Sequence, residues 1–481
     1  MKKSILLGAA ALAAVALAAP QSADAGEVKL GGYYQFRMVS TDNTPGDVAG
    51  DENLNFWAHR LQLNMDMKAS DKSHAHLVTR IIDNQTVDGV DQILNGGAPG
   101  TSSGTLAPGV TTPTVSQATE WQVRQAWLET EAWGVGVKVG NMPISMNDGL
   151  LFDNDVTSYG TVLLSKNFGG VTLVGADVKV YEGSSPGGAP GSVGANVNHR
   201  DIDMWVLSAL GKISNVDYQL TGAYLNAQDK LINPAAPAAP IFPAGVAAMN
   251  DVSDGWIALT LGGKVMNIDL TGTVIYEVGG DVTGGDGTSQ FEESGVLLAL
   301  RAKGKTGFGG WNAYAFYGSE DFDSATPGGN ESKWSPTWDS SGAGSQDLMM
   351  RALSNFNGAS SGLFGGSAGG NSWAATGGTY SSQENMWGVG AGLTINAGAW
   401  TIKPSLDYAS VVQENETSRP AGSNFAATYE SAWGGTLGFS TKIQEATTLD
   451  LSGTWVNPNA RLAATSEETM HYIQASVKMD F

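Results

Sequence analysis

The sequence predicts an all-β protein: a closed, antiparallel, up-and-down transmembrane barrel of about eighteen strands, with sixteen strands as the alternative. Apolar and polar residues alternate over stretches of roughly ten residues, the length of a tilted membrane-spanning strand. The connections between these stretches are alternately short and long, as they are when one end of a barrel carries tight turns and the other carries loops. With 64 glycines, the chain lacks the apolar content for helical membrane spans.

The N-terminal residues have the pattern of a secretory signal peptide. Lys2 and Lys3 precede an apolar run from Ile5 to Ala19, and Ala23-Asp24-Ala25 supplies the small residues of a cleavage site. We therefore expect residues 1–25 to be removed and residues 26–481 to form a single barrel domain. No change of composition or linker divides this remainder.

Charge and cysteine content exclude several classes of protein. Without residues 1–25, the chain has 24 basic and 46 acidic side chains, a net charge of −22. Nucleic acid is therefore not expected as a partner. The absence of cysteine excludes disulfides, thiolate metal sites and haem attached through a Cys-x-x-Cys-His motif.

The clearest strand follows the acidic loop that starts at Asp42. Leu61, Leu63 and Met65 alternate there with polar residues, and the chain turns at 70–73 to return as the next strand. If both termini lie in the periplasm, every odd-to-even connection should be long and extracellular, and every even-to-odd connection short. The chain fits this rule with strands at 28–39, 60–68, 74–85, 119–131, 134–141, 161–166, 171–181, 201–210, 216–225, 255–264, 267–278, 292–303, 310–319, 386–396, 400–411, 431–442, 447–456 and 468–481.

The last strand ends on an aromatic residue. Phe481, Met479 and Val477 share one parity with further apolar residues, and polar residues hold the other parity. This pattern resembles the closing strand of Gram-negative outer-membrane β-barrels, the porin family. The resemblance implies contact with outer-membrane lipid, and an assembly signal at Phe481, Met479 and Val477 that the barrel-assembly machinery reads. The family is often trimeric, whereas many eighteen-stranded exporters are monomers, so the oligomeric state stays open.

The long connections are the candidates for narrowing the lumen. Residues 320–382 are the leading candidate for a loop that folds inward, and residues 87–116 are the second; either loop could instead form an outer cap. Residues 142–159 are expected to be an external loop. The segment 139–152 resembles a strand-end pattern of larger porins, including the alginate-export type, but it has Asn141 and Met142 where an arginine-glutamine pair is expected.

Side-chain parity predicts which charges face the lumen, because charge on the lipid side is costly. Both signs are expected inside, either lining the pore or pairing to brace the wall. Lys179, Lys478, Asp177, Asp269, Glu277 and Asp450 share this polar parity. The predicted pore-lining residues are Arg37, Arg60, Asp66, Arg80, Arg124, Lys138, Arg301, Lys403 and Asp407.

Other chemistry has little support in the sequence. His74 and His76 share the inward face of one strand, where they could hold a metal, although pore-lining histidines are the simpler interpretation. Two acidic loop groups offer oxygen ligands for weakly bound Ca²⁺, although a solvated outer rim is the simpler reading. These groups are Asp42, Asp47, Asp51 and Glu52, and separately Asp148, Asp153 and Asp155. No catalytic set is apparent, and no cofactor is expected.

The predicted function is a porin: a water-filled channel for passive diffusion of small hydrophilic solutes or ions across the cell outer membrane. Its selectivity would follow from pore width and from the balance of inward basic and acidic residues. One alternative is a substrate-specific or partner-bound conduit, such as an exporter of an anionic polymer or a sheath for an electron carrier. The other is a structural or adhesive surface barrel with a closed lumen.

Overall fold

The structure is a computed structural model. It describes residues 26–42, 54–87, 90–93, 122–153, 159–181, 202–227, 249–278, 280–284, 290–293, 295–319, 386–412, 429–460 and 469–481. Within these residues, no helix is both long enough and apolar enough to cross a bilayer.

Eighteen of the described strands form one closed antiparallel wall, in which each strand pairs with its neighbours in sequence. This confirms the predicted all-β, up-and-down barrel with eighteen strands. The wall strands are β1 (Glu27–Asp42), β2 (Leu54–Ser70), β3 (Ser73–Val87), β5 (Gln122–Ala132), β6 (Val135–Met142), β9 (Tyr159–Phe168), β10 (Val171–Tyr181), β11 (Ile202–Ile213), β12 (Val216–Ala227), β13 (Met249–Val265), β14 (Ile268–Glu277), β17 (Val296–Thr306), β18 (Gly309–Gly318), β19 (Met386–Ala397), β20 (Trp400–Val411), β21 (Tyr429–Gln444), β22 (Thr447–Ala460) and β23 (Met470–Asp480).

Five shorter strands lie outside this wall order. Strand β4 (Val90–Ile93) pairs with the end of β3. Strand β15 (Gly280–Gly284) pairs with β13 and with β16 (Gln290–Glu293). Strands β7 (Ser145–Met146) and β8 (Phe152–Asp153) form a separate two-stranded sheet.

The first and last strands close the wall. Strand β1 pairs with β23 from Tyr33 opposite Asp480 to Asp42 opposite His471. Gly32 N–H donates to the Phe481 carbonyl (2.9 Å), and Phe481 N–H donates to the Gly32 carbonyl (3.1 Å). The C-terminal residue therefore completes the hydrogen-bond ladder, so that the wall has no open edge.

The turns confirm the predicted alternation of short and long connections. At one end of the wall, eight hairpins turn over just two residues, at 71–72, 133–134, 169–170, 214–215, 266–267, 307–308, 398–399 and 445–446. Several turn residues have positive φ, including Trp133 (54°) and Gly134 (72°), as tight hairpins of the mirror-image types require. In the first turn, a hydrogen bond from Lys68 lowers the pKa of Asp71.

Large apolar side chains cover the outer face of the wall. Leu207, Leu300 and Ile473 are among the most exposed, and they share the outward parity of their strands. Aromatic residues mark both limits of this face. The lower group, at the short turns, is Trp133, Phe168, Phe308, Trp311, Trp400 and Phe481. The upper group, near the opposite strand ends, is Trp205, Tyr224, Tyr276, Tyr317, Trp387, Tyr408, Trp433 and Trp455. An apolar band between two aromatic girdles is typical of a membrane-spanning barrel.

Some outward rings, including Trp311 of the lower group and Tyr218 of β12, lie directly over glycines of the neighbouring strand. A Cβ atom on Gly304 would lie 2.3 Å from Nε1 of Trp311, and one on Gly211 would lie 2.7 Å from the hydroxyl of Tyr218. A glycine beside each ring lets the ring lie flat against the wall.

Two charges lie on the opposite face from the one predicted. Asp177 and Lys179 share their parity with the exposed Leu173, and Asp177 pairs with the outward Trp205. The inward positions of β10 are Ala176 and Val178, which are buried. The prediction was wrong because it assigned the apolar residues of β10 to the lipid-facing side. Ala176 and Val178 instead belong to an apolar core inside the barrel. Lys179 Nζ lies 2.5 Å from Oδ1 of Asp203, so two of the outward charges near the upper girdle are paired.

We predict that Gly140→Ala destabilises the barrel. Gly140 has a φ of +129°, and a Cβ there would lie 2.3 Å from the Ala126 carbonyl oxygen and 2.8 Å from the Trp127 Cα. Strain and backbone overlap together should lower the free energy of unfolding by about 1–3 kcal/mol. Urea unfolding in lipid vesicles, followed by tryptophan fluorescence, measures this loss. Gly175→Ala is the control, because nothing lies within 4 Å of its Cβ position; equal losses in both variants would contradict the prediction.

Candidate functional site: the barrel interior

A short hairpin fills part of the barrel interior. It follows β6 and consists of β7, the turn Asn147–Gly149 and β8. The turn residues Asn147, Asp148 and Gly149 have φ values of 51°, 61° and 80°. Asparagine, aspartate and glycine are the residue types that adopt this left-handed conformation most readily. The local sequence therefore specifies a reversal at this point.

The hairpin is inside the wall, not outside it. Leu150, Leu151 and Phe152 have no exposed surface, and Met142, Ile144 and Met146 are also buried. The prediction of an external loop at 142–159 was wrong for its described part, residues 143–153. The apolar residues of this segment are the signal that could have corrected it, since an external loop has no reason to carry six large apolar side chains.

The inner face of the nearby wall is apolar as well. Its buried inward apolar side chains are Ala176, Val178, Met204, Val206, Ala223, Leu225, Trp256, Ala258, Ile275, Leu297 and Ala299, and the buried polar residues Ser208, Thr221, Thr273 and Glu277 lie among them. They belong to the strands from β10 to β17, and the hairpin tip contacts residues of β12, β13 and β17. The hairpin and these six strands of the wall therefore form one largely apolar core inside the barrel.

Asn147 fixes the hairpin tip to the wall. Its backbone N–H donates to Oε1 of Gln219 (3.2 Å), and its Nδ2 donates to the Gln219 carbonyl (3.3 Å) and to Oγ1 of Thr260 (3.2 Å). Thr260 in turn shares a hydrogen bond of 2.9 Å with Thr273. Asn147 is completely buried, so each of these bonds satisfies a group that water does not reach.

Asp148 makes the second anchor, an ion pair with Arg301 of β17. The two side chains are only 19% and 15% exposed, so water screens their attraction weakly. Arg301, a predicted pore-lining residue, thus lies in the interior and holds the hairpin. The prediction of Asp148 as part of a solvated outer rim was wrong, because the hairpin carries this carboxylate to an arginine inside the wall.

The inner wall from β20 to β1 is mainly polar, although the buried Ala409 and Ala432 also lie there. Its buried side chains include Gln35, Ser405, Asp407, Thr436, Ser452, Thr454, Gln474 and Ser476. Gln35 Nε2 donates to Oγ of Ser476 (3.0 Å) across the closing strands, and the Thr436 and Thr454 hydroxyls are 2.7 Å apart. The interior is therefore asymmetric, with an apolar core on one side and a polar wall on the other.

Asp407, another predicted pore-lining residue, accepts a hydrogen bond of 2.7 Å from the Tyr314 hydroxyl. The bond crosses strand β19 at Gly390, where a Cβ would lie 2.2 Å from Oδ1 of Asp407 and 2.3 Å from Cε1 of Tyr314. Phe316 lies in the same way beside Gly388. The glycines of β19 thus leave the space in which these rings lie against the wall.

The remaining predicted pore residues are spread around the wall. Asp66 Oδ1 lies 2.5 Å from His76 Nδ1, Lys138 Nζ lies 2.9 Å from Glu129 Oε2, and Arg80 Nε donates to Gln62 Oε1 (3.4 Å). Arg60 and Lys403 lie in β2 and β20, opposite Gln35 and Gly438. For Arg37 and Arg124 only the backbone is described: Arg37 pairs with Ser476, and Arg124 lies at a register shift in β5.

His74, His76 and Trp127 form a row of rings inside the barrel. The His76 ring stacks on Trp127 at 4.5 Å between centroids, and the His74 ring lies 6.4 Å from His76. In the described part of the chain, no three His, Asp or Glu side chains are grouped closely enough to hold a metal ion. His76 is thus paired with Asp66 and stacked on Trp127, and the His74 ring lies beside it in the same row.

Several predictions fall outside the described residues. They are the signal peptide at 1–25, the loop 320–382, nearly all of the loop 87–116, and the acidic residues Asp47, Asp51, Glu52 and Asp155.

We predict that Asp148→Asn loosens the hairpin. Loss of the ion pair with Arg301 should cost about 1–3 kcal/mol in the free energy of unfolding, less than for a fully buried pair. It should also speed hydrogen exchange at residues 145–153, which mass spectrometry can follow.

The matched control is Glu131→Gln, which removes an exposed pair with Lys72 at a turn. Its cost should stay below about 1 kcal/mol. The single variant Arg301→Gln and the double variant Asp148→Asn with Arg301→Gln complete the cycle, and a coupling energy near zero would contradict the role of this pair.

Comparison with known proteins gives results at the level of structure alone. No family model matches the chain, and no curated protein sequence matches it. A BenF-like porin from Pseudomonas fluorescens Pf-5 is similar in structure, with a TM-score of 0.50 and 10% identity over 95% of this chain and 98% of that chain. OpdK of Pseudomonas aeruginosa, solved with vanillate, gives 0.49 and 9% over 94% and 98%, and OccAB3 of Acinetobacter baumannii gives 0.48 and 8% over 94% and 99%.

At such identities the likeness concerns the fold. The BenF-like porin covers nearly the whole chain, and the wall described above has the same closed architecture. The chain therefore has the fold of the Gram-negative outer-membrane porins, as its closing strand predicted.

Proposed function

We propose that the protein is an outer-membrane porin, a channel for passive diffusion of small hydrophilic solutes or ions. The observation that carries this proposal is an eighteen-stranded closed wall with an apolar outside and a partly polar inside. A barrel of this size is wider than wall side chains can fill, so it encloses a channel unless a plug closes it. The hairpin 145–153 occupies one side of that space and narrows it.

Selectivity in this proposal follows from the remaining width and from fixed charge. Arg301, Lys303 and Lys305 lie on the inward parity of β17 and form a basic row toward the short-turn end. Asp66 and Lys138 have the inward parity of β2 and β6. Asp66 is paired with His76, and Lys138 is paired with Glu129. Solutes would therefore meet both positive and negative charges during passage. The proposed function is passive permeation, with no catalytic step.

The proposal includes location and assembly. A signal peptide at 1–25 would direct export, and the C-terminal residues Phe481, Met479 and Val477 would serve the barrel-assembly machinery. Their outward parity and the closing hydrogen bonds of Phe481 support that role. A homotrimer and weak Ca²⁺ binding at the acidic loop residues Asp42, Asp47, Asp51 and Glu52 are further proposals from the sequence.

Single-channel recording tests the function. Protein refolded into a planar bilayer should give discrete conductance steps in simple salt, because the narrowed lumen still holds water and mobile ions. A structural barrel with a closed lumen would give no steps and would overturn the proposal. A substrate-specific conduit would show block or flux for one dominant solute beyond its simple salt conductance.

Reversal potentials test the predicted pore-lining arginines. Neutralising Arg60, Arg80 and Arg124 together to Gln removes three positive charges, so selectivity should move toward cations. Lys166→Gln is the control, since Lys166 is exposed on the outward parity and is not expected to meet permeating ions. An unchanged reversal potential in the triple variant would reject these residues as the filter.

A further inference from the structure

An apolar groove crosses the outer face of the wall at strands β13, β14, β17 and β18. It has a volume of about 410 Å³ and is lined almost entirely by apolar atoms. Leu259 and Leu261 lie on one side of it, and Leu298 and Leu300 lie on the strand between those of the small residues Gly272 and Ala315.

Small residues produce this groove. Gly272 lies between Leu261 and Leu300 in neighbouring strands, and Ala315 lies on the far side of Leu300. A Cβ on Gly272 would meet Ala299 O and Leu300 Cδ1 at 3.9 Å, an ordinary contact distance. A larger side chain would therefore fit at this position, and the groove is open space rather than a steric requirement of the wall.

The aromatic girdles give the depth of the groove. On β18, Trp311 belongs to the lower girdle and Tyr317 to the upper, and Ala315 lies between them. These two aromatics are six residues apart, which is roughly 20 Å along a strand. Because the apolar band of such barrels is about 25 Å tall, the groove lies within the hydrocarbon zone.

We propose that this groove binds one acyl chain of an outer-membrane lipid, which lies along the wall between Trp311 and Tyr317. The proposal rests on the membrane location proposed above. The groove contains no charged side chain, and among the outward side chains that line it only Tyr317 carries a polar atom, because the Thr273 hydroxyl bonds to Thr260 inside the barrel. A hydrocarbon chain therefore fits it better than a headgroup does. The free energy of such binding scales with the apolar area that the chain covers.

Native mass spectrometry tests the proposal. The barrel is reconstituted in vesicles of phosphatidylethanolamine, extracted in mild detergent and washed, and the wild-type protein should retain one lipid. Gly272→Leu fills the groove and should lower the retained fraction roughly tenfold, since several methylenes lose their contact with the wall. Gly222→Leu is the control: Gly222 is an exposed outward glycine with nothing within 4 Å of its Cβ position, and it lies outside the groove.

Loss of the lipid in Gly272→Leu alone supports the proposal. Equal retention in all three proteins, equal loss in both variants, or a wild-type spectrum without lipid would overturn it. A lipid-free dimer that Gly272→Leu dissociates would also overturn it, because a second copy of the chain would then cover the groove. The conductance of the three proteins in a planar bilayer is measured separately, so that a failure of the proposed pore is distinguished from a failure of the lipid site.

Discussion

Closure of the backbone hydrogen-bond ladder is the constraint on which the rest of this structure depends. In hydrocarbon an unpaired N–H or C=O group has no water to bond, so an open sheet edge would cost several kcal/mol for each exposed group. Here β1 and β23 remove the edge, down to the reciprocal bonds of Gly32 and Phe481. Once the wall is closed, each strand residue must point either outward or inward. The alternation of apolar and polar residues along a strand therefore separates the side chains of the outer face from those of the interior.

The closed wall encloses a wide interior, and the hairpin fills part of it. Eighteen strands enclose more space than their own inward side chains can fill. The chain fills part of it with a second apolar core, in which Leu150, Leu151 and Phe152 are buried with inward wall residues such as Met204 and Ile275. The protein thus has an apolar outer face and a separate apolar core inside, and its inner wall from β20 to β1 is mainly polar.

The sequence predicts the wall well because its signals are local. Period-two alternation and turn length identified all eighteen strands, and the terminal aromatic indicated the closing strand. The hairpin could not be placed in this way, because Asn147 bonds to Thr260, 113 residues later. A second non-local effect explains the error at Asp177 and Lys179: the apolar Ala176 and Val178 are buried on the inner side of the wall, so the charged residues between them point outward. Parity alone cannot distinguish lipid from a dry interior.

Two kinds of contact hold the hairpin in the barrel interior. Its strands are held by burial, which is strong but not directional, whereas its tip is positioned by Asn147 and Asp148 through bonds with defined partners. A loss at the tip would therefore leave the apolar core largely intact and change where the hairpin lies in the lumen. Burial keeps the hairpin inside the barrel, and the polar contacts of its tip fix its position there, which in the proposed channel would set how much of the lumen stays open.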